Sequence, residues 1–319
     1  MGRATIAAIA AICLAAPAGA AAAREHTVPW TFDAGIAAQA QSPDAPPPGA
    51  NDFDCEPPRR HPHPVVLVHG LAANQTVNWQ TISPFLANRG FCVFSLTYGT
   101  KPDVSIGGFY QPGGLVPMER SAKQLAGFVK KVRRATGAEK VDIVGHSEGS
   151  LMPNHYVKFR NGAKRVSDYV GITPLWDGTN IGGLAAAASV GEMLGLSQAF
   201  LDAIAPACES CPQFLSGSEF LTKLNEGGIA APRIRYTNIV TRNDQLVIPY
   251  ESGLMDPGPR ITNHVVQDQC ALDQADHIAV AADPIVAYDV LNALDRKRPR
   301  PVPCVPVTYG VGAVGYSGN

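Results

Sequence analysis

The chain has 319 residues, 45% of them hydrophobic, with 26 lysines and arginines set against 27 aspartates and glutamates. That length allows one large domain or two small ones, and the apolar share is that of a globular protein rather than a membrane bundle. The nearly cancelling charges exclude a long-range field that would steer the protein to nucleic acid or an anionic membrane, and suit a neutral or amphipathic ligand.

At the start, Arg3 precedes an apolar stretch from Ile6 to Ala16, then Pro17 and the small residues Ala18 to Ala23. This reads as a secretory signal peptide over residues 1–23, with cleavage after Ala20, Ala22 or Ala23 equally compatible and Ala23 taken for definiteness. The stretch is shorter than the roughly 20 residues of a spanning helix, and no later segment qualifies, so no stable membrane span is expected. The implied localisation is extracellular. Without Cys13, six cysteines remain, an even set that predicts three disulfides in an oxidising compartment. Position along the chain suggests pairing Cys55 with Cys92, Cys208 with Cys211, and Cys270 with Cys304. The rival reading of Cys208-Glu-Ser-Cys211 as half of a metal site lacks a second half, so no metal is expected.

Residues 24–64, rich in alanine and proline, read as a surface lead-in without a core element. A catalytic domain is expected over 65–298. Val65 to Val68 is a short aliphatic strand ending at His69-Gly70, and Phe91 to Leu96 is a second. Val116 to Ala135 has helical spacing and ends at Gly137. Val141 to Val144 is a third strand, followed by a helix from about Gly149 to Phe159 and strands at Val166 to Ile172 and Arg233 to Val240. Strands alternating with helices predict an α/β fold with a mostly parallel central sheet covered on both faces. The Gly- and Ala-rich stretch 176–231 is too long for an ordinary connection and reads as an inserted cap or lid. Within it, Gly182 to Ala207 is apolar and helix-compatible, its side chains suited either to an acyl chain or to packing on the core. A helix from Val280 to Leu294 and a tail over 299–319, tied by a disulfide, complete the chain. The basic cluster Arg296 to Arg300 is a solvated linker.

Gly145-His146-Ser147-Glu148-Gly149 follows one strand directly and precedes a helix, the context a nucleophile elbow requires. A serine hydroxyl needs a base, so an acid and a histidine are sought downstream. Asp244 stands in the loop after the strand ending at Val240, at the carboxyl end where such sheets assemble their sites. Two histidines compete for the base. His277, just before the last helix, is preferred to His264, which lies in the extended run Ile261 to Val266 and reads as structural. The backbone amides of Leu71 and Glu148 are the candidate oxyanion donors. Only the amide of Glu148 is needed, and its side chain is expected to point to solvent or to a polar partner.

With Val65-Val66-Leu67-Val68-His69-Gly70, Asn78-Trp79, the pentapeptide around Ser147, Asn243-Asp244 and Asp276-His277 in order, the chain resembles the class 2 secreted bacterial lipases and esterases of the α/β-hydrolase fold, over about residues 50 to 295. The resemblance implies a Ser147, Asp244 and His277 triad, with Leu71 and Glu148 at the oxyanion hole. It implies a monomeric, cofactor-free hydrolase of triacylglycerols or other lipid-like esters, met at a lipid-water interface. An acyltransferase or polyester depolymerase would use the same triad, and a non-catalytic lipid-binding protein is the reading from another class.

Overall fold

The computed structural model describes residues 25–108, 110–180 and 205–318. The signal peptide expected at 1–23 and most of the apolar stretch 182–207 lie outside the described residues. In chain order the helices are α1 (Asp33–Gln41), α2 (Gln75–Asn78), α3 (Ile82–Ala87), α4 (Met118–Thr136), α5 (Glu148–Phe159), α6 (Glu219–Asn225), α7 (Val266–Gln269) and α8 (Pro284–Leu294). The strands are β1 (Val65–Val68), β2 (Val93–Leu96), β3 (Val141–His146), β4 (Val166–Ile172), β5 (Arg235–Val240) and β6 (Ile261–Val265).

The six strands form one sheet in the order β2-β1-β3-β4-β5-β6, every neighbouring pair parallel. Parallel pairing needs a crossover for each strand, and the alternation of helix and strand supplies it. Side chains of β1 alternate between two cores, as a period of two dictates. Val66 and Val68 pack with Leu125 and Val129 of α4 and Leu151 of α5 on one face. Val65 and Leu67 pack with Phe85 of α3 and with Ile285, Val286 and Val290 of α8 on the other. Each fully buried aliphatic side chain contributes about 1.5–3 kcal/mol of transfer free energy. The sheet is therefore apolar on both faces, as its strand sequences are. Among the described residues no helix is long and apolar enough to cross a membrane.

The lead-in departs from expectation. Val28, Trp30 and Phe32 are buried, and residues 33–41 form α1. Trp30 meets Phe85 and Tyr316 edge-on at 5.6 and 5.2 Å between ring centroids, and its Nε1 donates to the Gly318 carbonyl at 3.0 Å. A lone aromatic anchor leaves no periodicity, which is why composition alone reads this stretch as surface. The stretch 176–231 is also more than a cap. Trp176 lies wholly inside, its Nε1 donating to Asn238 Oδ1 at 3.0 Å, and Phe220, Leu221 and Leu224 of α6 join the core beside α5. The helix expected over 280–294 is two pieces, a 3-10 turn at Ala279–Ala282 and then α8. Pro284 has no amide to donate and so opens α8, while the Asp283 carboxylate caps the Ile285 amide at 2.7 Å.

Disulfides join Cys55 to Cys92, Cys208 to Cys211 and Cys270 to Cys304. The last ties the tail to the turn that follows α7. Replacing Trp30 with alanine is expected to cost about 3–5 kcal/mol, since a buried indole leaves a large cavity. Urea denaturation of the purified chain measures it, and a change within about 0.5 kcal/mol would return the lead-in to the surface.

Candidate active site

Ser147 stands between β3 and α5 with φ 56° and ψ −124°, a conformation that side-chain-bearing residues rarely adopt. The two glycines make the turn possible by close approach. A Cβ at Gly145 would lie 1.9 Å from the Gly149 carbonyl oxygen, and one at Gly149 would lie 2.0 Å from the Val68 carbonyl oxygen of β1. Pro153, inside α5, lacks the amide that would bond the Gly149 carbonyl, so the first turn is free to press against β3. The Ser147 amide donates to Ile172 at the end of β4, 2.9 Å away. The serine is thus lifted at the carboxyl edge of the sheet, between strands that lead outward from β1 and β3 in opposite directions, where open parallel sheets place ligands.

Asp244 follows β5. Its Oδ1 accepts the amides of Leu246 and Val247 at 2.9 and 2.7 Å, which hold the carboxylate in one orientation. Both oxygens face His277 Nδ1, at 2.9 and 2.8 Å, and both side chains are only 2% exposed. With its Nδ1 proton donated to Asp244, His277 keeps Nε2 as the basic nitrogen. Ser147 Oγ makes no hydrogen bond among the described residues. A proton relay from it to His277 therefore requires the tightening that accompanies a bound substrate. His264, the competing histidine, sits on β6 and faces the Asp289 charge instead.

The spacing of motifs leaves four positioning roles undetected, those of Asn78, His146, Gln245 and Asp276. Asn78 Oδ1 accepts the Gly70 amide at 3.0 Å and lies 3.1 Å from His146 Nδ1, while His146 Nε2 donates to the His277 carbonyl at 2.8 Å. Burial pushes His146 down to about 3, so it stays neutral with a single ring proton; that proton goes to the His277 carbonyl and ties the elbow to the loop of the histidine, while Nδ1 meets Asn78 Oδ1 as a contact without a hydrogen bond. Gln245 donates to Asp276 Oδ2 at 2.8 Å and accepts the His277 amide at 3.2 Å. Asp276 caps the amides of Ile278 and Ala279 at 3.2 and 2.8 Å. Asn78 stands within a quoted motif, but nothing in a sequence says which loops its amide will bridge.

The turn carrying Leu71 abuts the serine: a Cβ on Gly70 would be 3.1 Å from Ser147 Cβ. His69 is buried and stacked on Tyr98 at 4.3 Å; burial lowers it to about 4. Its Nδ1 donates to the Gly70 carbonyl at 2.8 Å and its Nε2 accepts the Tyr98 amide at 3.2 Å. Glu148 corrects the sequence reading. Its side chain is fully buried, and neither carboxylate oxygen has a hydrogen-bond partner among the described residues. Burial raises its pKa well above the usual carboxylate value.

One set of side chains has the spacing of metal ligands. His63, Asp142 and Asp168 bring their ligand atoms within 4.8 Å of one another at the amino ends of β3 and β4, away from Ser147. Asp168 is already held by Arg235 at 2.5 Å and Arg296 at 2.6 Å, so a divalent cation there would face two fixed positive charges. Asp142 rises to about 6, chiefly by burial and against the pull of His63.

A family model described as Lipase (class 2) matches residues 62–288. Triacylglycerol lipases of Pseudarthrobacter phenanthrenivorans and Burkholderia plantarii are each 38% identical over 94 residues, 28% of this chain. The match spans 26% and 23% of those relatives, about a quarter of their length. Aspergillus fumigatus lipase B superposes with a TM-score of 0.59 at 18% identity, over 81% of this chain and 56% of that one, and shares its fold.

Two buried carboxyls brace the loop that carries His277. Asp273 Oδ1 caps the Ala275 amide at 2.7 Å, and Asp273 Oδ2 and Asp283 Oδ2 find no donor unless one proton is shared between them. Burial raises Asp273 to about 6, and burial with the Asp273 charge raises Asp283 well above the usual value. The folded chain thus holds a proton that the unfolded chain releases near pH 4, so stability falls as pH rises from about 4 through about 6. Asp273→Asn keeps the cap and removes the shared proton. Thermal melts should show it within error of the parent at pH 4 and more stable by about 1–3 kcal/mol at pH 8. Parallel curves across that range would remove the shared proton from the account.

Proposed function

The chain belongs to the class 2 lipase family, and on that premise we propose that it hydrolyses lipid-like carboxylic esters, triacylglycerols among them, with Ser147 as nucleophile, His277 as general base and Asp244 as the orienting acid. The observation that carries this reading is the buried Asp244 and His277 pair, linked through His146 to a serine held at positive φ. Such strain persists only where surrounding structure enforces it, and it gathers at functional sites.

In this mechanism Ser147 Oγ attacks the ester carbonyl as His277 Nε2 takes its proton. The tetrahedral oxyanion is received by the amides of Leu71 and Glu148, and the alcohol departs with the proton from His277. Water, deprotonated by His277, then attacks the acyl-enzyme and releases the acid. Each step is metal-free in this scheme, and the Asp244 and His277 side chains are held by burial before substrate arrives.

The proposal extends to location and organisation. Three disulfides suit an oxidising compartment, and with the export segment expected at 1–23 they support secretion. Residues 65–298 form the catalytic domain, with the lead-in and the tail as its structural flanks.

Hydrolysis of a nitrophenyl ester series from short to long acyl chains, followed by emulsified triacylglycerol, tests the activity. Ser147→Ala should lower kcat by at least ~10³-fold. Asp244→Asn keeps the acceptor for Leu246 and Val247 but offers His277 a donor, so it should cost about 10⁴ in kcat with the fold intact. Turnover confined to short chains would replace the lipid substrate with a small ester, and turnover that survives Ser147→Ala would end the nucleophile assignment. Product analysis with added alcohols separates hydrolysis from acyl transfer.

A further inference from the structure

The amide of Glu148 has a place in the reaction proposed above, and its side chain has none. That side chain is 0% exposed, and Oε1 and Oε2 have no hydrogen-bond partner among the described residues. A length-matched apolar residue would fill the same space without the desolvation cost of a buried carboxyl, which runs to several kcal/mol for an ionised one. The space itself is specific. Gly114, at φ +77°, leaves the room: a Cβ there would stand 2.3 Å from Glu148 Oε2 and 3.2 Å from the Leu71 Cα. Gly114 therefore borders both the Glu148 carboxyl and the backbone of the residue that offers the second oxyanion amide.

That loop is itself fixed. Gly113 and Ala73 are bonded amide to carbonyl at 2.8 Å, as are Ala72 and Gly113 at 2.9 Å. The Gly114 amide donates to Tyr98 at 2.8 Å, and Ser210 Oγ, inside the Cys208 to Cys211 disulfide loop, donates to the Gly114 carbonyl at 2.6 Å. What leans on the Gly114 side of the niche is thus transmitted to Leu71 and not absorbed by the loop.

We propose that Glu148 is a positioning residue of the oxyanion hole, an un-ionised carboxyl that fills the space left at Gly114 as a wedge and, through that loop, sets the Leu71 amide beside the amide of Glu148 itself. Charge complementarity requires the un-ionised form. Among the described residues no cation pairs with Glu148. The titratable group that faces it among the described residues is Tyr98, whose hydroxyl is spent on the His69 carbonyl at 2.8 Å. An ionised carboxylate behind the two amides would oppose the negative charge they exist to receive. Its burial acts in the same direction, favouring the neutral acid.

The proposal rests on the Ser147 reading, and its test keeps the two apart. Infrared difference spectra of the full chain, Glu148→Gln subtracted from the parent at pH 7, should show the carbonyl band of a protonated acid; carboxylate bands in its place would overturn the proposal. Binding of a long-chain trifluoromethyl ketone, which places an oxyanion in the hole, is then compared with KM for the parent ester. Glu148→Ala should weaken the ketone about tenfold or more with KM little changed, and Glu148→Gln, which restores the wedge, should recover most of that loss. Equal ketone affinity in the alanine variant and the parent would overturn the wedge. Should the alanine variant not fold, Glu148→Ser, which also withdraws the carboxyl from the niche, takes its place with the same expected loss. Ser147→Ala that still turns over ester would instead remove the reading beneath, whatever the infrared spectrum shows.

Discussion

The approach of α5 to the carboxyl ends of β1 and β3 governs the site. Helix and strand backbones come so near that no side chain fits at 145 or 149, and the chain can reverse there only with Ser147 in a conformation a non-glycine residue resists. That cost is met by the sheet, whose strands are apolar on both faces and hydrogen-bonded on both edges except at β2 and β6. A looser sheet would let the elbow relax, and the hydroxyl would sink.

Around that turn the loops are held to one another by polar contacts in a region nearly closed to water. Asn78 accepts the Gly70 amide, His146 donates to the His277 backbone, and Gln245 reaches both Asp276 and the His277 amide. In low dielectric such bonds are strong when complete and costly when broken, so the network acts as a set of coupled braces and not as separate links. His69 and His146 lie among these contacts as neutral rings, lowered by burial to about 4 and about 3.

The parts of this arrangement visible in the sequence are those that depend on local pattern. β1 and β4 lie where their aliphatic runs place them, residue for residue, and β3 and β5 differ only at their ends. The pentapeptide around Ser147 was readable because two glycines and a preceding strand are a local requirement. Trp30 was not, because its partners Phe85 and Tyr316 are distant in the chain and its surroundings are alanine and proline. Glu148 was misread for a related reason: an acidic residue signals solvent unless the space around it is known, and that space is made by Gly114, 34 positions earlier. The break before Pro284 was legible in principle, since proline after an aspartate opens a helix more readily than it continues one.

The hydrogen bond from His146 to the His277 carbonyl crosses a sequence separation of 131 residues. No fragment of the chain contains it, and neither does any collapsed state in which strands have formed but loops have not docked. Whatever rate Ser147 achieves therefore belongs to the fully assembled molecule alone. Residual turnover along a denaturation curve becomes a census of native chains, and a gap between that census and a spectroscopic signal of secondary structure would reveal a compact but incomplete form.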